Sequence, residues 1–203
     1  DVADALVAEP TTDKALVTEY QQLIGSLIYA MVQTRPDIAY AVNMLSRAMS
    51  RPTPALLVHA RRVLCYLARH ADVGLTFSAE SSSNIEGWSD ASWEKDKSTT
   101  GIAVKWQEAV ISWKAQKQKC VATSSFHAEL IAASEAAKDL IHCDAVASDL
   151  TGEPSHEPVS MYVDNKALVD VAYNPEHHDK TRHIANREFF VREAVENMQI
   201  VVR

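Results

Sequence analysis

The sequence predicts an α/β fold, a five-stranded sheet with flanking helices preceded by a small helical unit. Residues 85–113 hold three strand patterns in succession, joined by loops short enough for antiparallel hairpins. A long helical pattern follows from about Ser125 to Leu150, and after it come a strand, two helices and a last strand. Residues 19–70 carry three apolar helical stripes and no strand.

Taken in order, residues 1–18 are acidic, hold Pro10-Thr11-Thr12 and show no period, so they read as a linker or mobile arm. The first helix carries Tyr20, Leu23, Ile24, Leu27, Ile28 and Met31. The second follows Arg35-Pro36-Asp37, and the third opens at Thr53-Pro54, with proline in each case at a helix start. Val73-Gly74-Leu75-Thr76-Phe77 reads as a short strand, closing a unit of residues 19–77. Ser78 to Ser83 is a serine-rich turn, and a second unit spans 84–203. Its strands are Ile85 to Asp90, Thr100 to Trp106, Ala109 to Trp113, Val159 to Asp164 and Gln199 to Arg203. Leu130, Ala133, Ala137, Leu140 and Ile141 mark the buried face of the long helix, which Thr151-Gly152 stops.

Composition is that of a globular chain: 203 residues, 47% hydrophobic and 23% charged, with a net charge of -7. That charge argues against non-specific nucleic-acid binding by the whole surface and leaves room for a local basic strip. The longest uncharged apolar stretch, Leu23 to Val32, is too short to span a bilayer, and no leader pattern precedes it. Cys65, Cys120 and Cys143 are odd in number and widely spaced, the usage of reduced thiols in an intracellular protein. A start at Asp1 suggests a fragment or a processed product.

Asp90 ends the first strand, in Asn84-Ile85-Glu86-Gly87-Trp88-Ser89-Asp90. Glu129 sits near the start of the long helix and Asp164 at the end of the fourth strand. Singly, each acid reads more simply as a cap. Together, three carboxylates delivered by strand ends and a helix make a hard-cation site, since Mg²⁺ takes oxygen ligands and keeps several waters. His177, His178 and His183 have a spacing that fits no common structural zinc site. Trp88, Trp93, Trp106 and Trp113 read as strand packing before they read as base-stacking platforms.

Several motifs in order carry a resemblance. Ser89-Asp90-Ala91-Ser92-Trp93, Lys97-Ser98-Thr99-Thr100-Gly101, Ile111-Ser112-Trp113-Lys114, Lys117-Gln118, Ser124-Ser125, Ala128-Glu129 and Val163-Asp164-Asn165 resemble the ribonuclease H region of copia-type retrotransposon Pol polyproteins. Tyr20 to Tyr29, Thr34-Arg35-Pro36-Asp37-Ile38 and Arg61 to Leu67 resemble the segment connecting reverse transcriptase to ribonuclease H in that family.

The resemblance implies a ribonuclease H-like mixed five-stranded sheet after a helical connection segment, within a larger Pol polyprotein. It implies an enzyme that hydrolyses the RNA strand of RNA·DNA hybrids by two-metal catalysis, with Mg²⁺ or Mn²⁺ as cofactor. Asp90 would bridge the two ions, and Glu129 and Asp164 would hold one each. The family's fourth acid lies in a segment that would follow Arg203, so the domain is expected to be C-terminally incomplete and weakly active. Ala185 stands where the family usually has aspartate, and the polymerase motif would lie upstream of Asp1.

Substrate contact is expected from Lys97, Lys114, Lys117, Asn165 and His183. Between residues 94 and 119, Lys95, Lys97, Lys105, Lys114, Lys117 and Lys119 outnumber Glu94, Asp96 and Glu108, a modest basic surplus whose alternative reading is a solvated hairpin surface. The alternative function is a domesticated or decayed copy, catalytically inert, that binds protein partners. No membrane association is expected.

Overall fold

The computed structural model describes residues 2–78, 84–94, 96–152, 157–174 and 185–203. The chain divides into two compact units, Asp1–Leu75 and Thr76–Arg203.

The first unit is helical. Helix α1 spans Val2–Val7, α2 Lys14–Gln33, α3 Ala39–Ser46 and α4 Pro54–Arg69, with a 3₁₀ turn at Pro36–Ile38. The arm expected over residues 1–18 is therefore corrected. Val2, Ala5 and Leu6 recur at helical spacing and pack with Tyr20, Ile24, Leu27, Val42, Leu45 and Leu56. The Thr53 hydroxyl donates to the Ala5 carbonyl at 3.2 Å, and the Thr11 amide donates to Pro52 O. Order begins well before Glu19, because the Asp13 carboxylate accepts from the Ala15 amide and caps α2. Tyr20 is fully buried; its hydroxyl donates to Leu45 O at 2.7 Å, and burial pushes its pKa up to about 12.

The Arg-Pro-Asp motif has a structural task here. Arg35 donates twice to Asp37, at 2.9 and 2.7 Å, and once to the His70 carbonyl at 2.9 Å. Its guanidinium also lies 5.7 Å from the Tyr66 ring centroid. The Arg35 hydrogen bonds hold the Asp37 carboxyl below the usual carboxylate range, against the effect of burial. The network fastens the 3₁₀ turn to the last turn of α4.

The second unit contains the sheet. Strands β1 (Ile85–Ser92), β2 (Thr99–Trp106) and β3 (Ala109–Lys117) are antiparallel neighbours, while β4 (Val159–Val163) runs parallel to β1 and β5 (Ile200–Val202) parallel to β4. The order is β3-β2-β1-β4-β5. Gln107 and Glu108 both take positive φ, the left-handed pair that a two-residue hairpin matched to strand twist requires. The strand expected at Val73 to Phe77 does not form. Among the described residues it finds no ladder partner, and Val73 and Phe77 are exposed.

Helix α5 (Ser125–Thr151) covers one face of the sheet. Ser124 caps it by accepting from the His127 amide, and Gly152, at φ 72°, ends it in the left-handed conformation. Strand alternation sends Ile85, Gly87, Ser89 and Ala91 toward α5 and Glu86, Trp88, Asp90 and Ser92 to the other face. A Cβ at Gly87 would stand 3.0 Å from a methyl of Leu140, so glycine there lets the helix settle on β1. Helices α6 (Lys166–Tyr173) and α7 (Ala185–Glu196) complete the unit. No described helix is long and apolar enough to cross a membrane.

Candidate metal centre

Sheet register brings the first two acids together. β1 and β4 run in the same direction with Ser89 opposite Val163, so the next residues, Asp90 and Asp164, emerge side by side at one end of the sheet. Glu129 is the fifth residue of α5, at the start of its second turn, and the helix begins above that end. Each acid offers a carboxylate oxygen, and the three oxygens all lie within 4.8 Å of one another.

The three acids differ in setting. Asp90 and Asp164 are exposed, whereas Glu129 is 8% exposed. Burial pushes the Glu129 pKa up to about 7. The charges of Asp164 and then Asp90 push the same way, and a hydrogen bond from the Ala91 backbone opposes them. A carboxyl raised first by burial and then by two carboxylate neighbours marks a place where a positive charge is wanted. Oxygen donors at this spacing suit a hard divalent cation better than a soft one.

Gln118 is a positioning residue that sequence reasoning left without a role. Its buried side-chain amide donates to Thr100 Oγ1 at 3.0 Å and to the Ala128 carbonyl at 2.9 Å. It thereby fixes the residue before Glu129 to β2. The available signal was a glutamine directly after a strand, in the pair Lys117-Gln118 that carries part of the resemblance. Thr123 adds a second tie, its amide donating to His127 Nδ1 at 3.2 Å.

The expected substrate lysines are arranged differently from the acids. Lys114 pairs with Asp139 of α5 at 2.7 Å and Lys117 with Asp96 at 2.9 Å; Lys105 also pairs, with Glu108, at 2.6 Å. Asp96 and Glu108 already stand in the count of the strip, so of these pairs it is Asp139, delivered from α5, that lowers its expected surplus. Lys97 is half-buried. Asn165 adjoins Asp164, and its Oδ1 accepts from Ala167 and Leu168 to cap α6. His177, His178, His183 and Lys95 lie outside the described residues.

Comparison with known proteins places the sequence in a family. No family model matches the sequence. The chain is 36% identical over 187 residues to the retrovirus-related Pol polyprotein from transposon TNT 1-94 of Nicotiana tabacum, covering 90% of this chain and 14% of that one. It is 36% identical over 184 residues to the corresponding polyprotein from transposon RE2 of Arabidopsis thaliana, covering 89% and 12%. The chain therefore spans only a small part of the length of these relatives. Among solved structures it is similar in fold to the foamy viral protease-reverse transcriptase in complex with an RNA/DNA hybrid, with a TM-score of 0.53 and 12% identity over 99% of this chain and 25% of that one. Its second unit has the ribonuclease H-like fold, and by its relatives the chain belongs to the copia-type retrotransposon Pol polyproteins.

Proposed function

We propose that the chain is the ribonuclease H portion of such a polyprotein, with a helical segment before it, and that it hydrolyses the RNA strand of RNA·DNA hybrids. The observation that carries this reading is the convergence of Asp90, Glu129 and Asp164 at one end of the sheet, with the Glu129 pKa raised. These residues fit Mg²⁺ or Mn²⁺, which when bound in such a site supply an activated water and stabilisation of the leaving 3′ oxygen. Asp90 and Asp164, being exposed, face incoming phosphate. Glu129 gives up its proton before it can serve as a ligand. Gln118 and the Ala91 amide hold its backbone and carboxylate in place. The substrate class agrees with the hybrid in the foamy viral complex.

The test is cleavage of an end-labelled RNA·DNA hybrid in Mg²⁺ and Mn²⁺, with single-stranded RNA and duplex DNA as controls. Cutting confined to the RNA strand of the hybrid, abolished by chelation and by Asp90→Asn, is the expected result. Cutting that survives Asp90→Asn, or none in any metal while the chain is folded, overturns the reading.

A further inference from the structure

The four tryptophans separate clearly in the structure. Trp88 is engaged, its ring stacked on Tyr162 with centroids 5.4 Å apart. Trp93, three residues past Asp90, is 54% exposed. An indole left this open gives up much of the transfer free energy that burying it would yield.

The exposed ring is nevertheless held in place. Its Nε1–H donates to the Ala122 carbonyl at 3.3 Å. Ala122 is buried and packs in one small cluster with Ala91 and Ala128, the residues that adjoin Asp90 and Glu129. The orientation of the indole is therefore tied to the same packing that supports the acids. Its polar edge is satisfied and its apolar surface faces solvent. The next residue, Glu94, is tied back to β2 by accepting from the Thr99 hydroxyl at 3.0 Å.

Resting on the hybrid-cleavage reading, we propose that Trp93 is a substrate-binding residue whose exposed indole packs against a sugar and base edge of the hybrid beside the acid cluster. The electrostatics of the unit favour such a contact. Lys105, Lys114 and Lys117 are already paired with acids, so these three lysines give a polyanion less purchase than their number suggests. A van der Waals platform adds affinity without charge and tolerates any base sequence. The wide, shallow minor groove of an RNA-containing duplex exposes sugars and base edges to a flat ring.

The test is titration of a fluorescently labelled RNA·DNA hybrid with the whole chain in Ca²⁺, so that binding is read without turnover. Trp93→Ala is expected to raise Kd about tenfold, and Trp93→Phe, which keeps a flat ring, to stay within about threefold. A second readout does not depend on the alanine variant folding: hybrid quenches tryptophan emission of the wild type, and Trp93→Phe loses that quench. Equal affinity of the wild type and Trp93→Ala, or full quenching in Trp93→Phe, overturns the inference and leaves the hybrid-cleavage reading standing. No hybrid affinity in the wild type overturns both.

Discussion

Glu129 carries the electrostatic tension of the site. Its folded-state pKa of about 7 lies above the ordinary 4.5, so between these values the folded chain keeps a proton that the unfolded chain has released. The stability contributed by this group is full below about 4.5 and is lost as pH rises through about 7. In metal-free solution Glu129→Gln should therefore stabilise the chain by about 1–2 kcal/mol at alkaline pH, with the difference fading in acid. Urea unfolding of both forms across pH checks this; a difference that grows in acid would contradict it. Asp90→Asn should lower hybrid cleavage by at least about a hundredfold, because even residues that only support a metal ligand are worth about 10–100-fold. Steady-state rates at saturating metal measure that loss.

The three acids were legible because each stood at an expected strand end or near the start of a helix. The sequence did not show that Ser89 would pair with Val163, the register that puts Asp90 beside Asp164. Nor did it show that Lys114 would meet Asp139, because that contact joins residues 25 positions apart through the packing of α5 on the sheet. A basic surplus counted along a hairpin says nothing of acids delivered from a helix.

At the scale of elements, the pattern of strands and helices in the second unit was readable from period and turn chemistry, apart from the exact strand ends. Helix α1 was missed because its apolar stripe is two turns at most and is followed by Glu9 and Pro10. The stretch from Val73 to Phe77 has strand composition, but composition does not supply the neighbour that a strand needs. Two variants test the packing described here. Gly87→Val, which drives a branched side chain into Leu140, should destabilise the second unit by about 1–3 kcal/mol. Arg35→Ala strips Asp37, His70 and Tyr66 of a shared partner and should cost the first unit about 2 kcal/mol or more. Chemical denaturation monitored in each unit checks both, and a neutral Arg35→Ala would show that the motif is not a structural clamp.

For the whole molecule, each unit has its own core. One cluster runs from Ala5 to Ala60 and the other from Ile85 to Val202, with no residue in common. We propose that residues 76–203 fold without the helical segment, and expect that fragment to unfold cooperatively and to retain the acid cluster; a molten fragment would contradict this. The central claim is that Asp90, Glu129 and Asp164 form a divalent-cation site, and Mn²⁺ binding followed by water-proton relaxation tests it most directly. Saturable binding should be lost in Asp90→Asn and should strengthen as pH rises through about 7, where Glu129 sheds its proton. Mn²⁺ binding that is absent in the wild type, or unchanged in Asp90→Asn, would contradict the account.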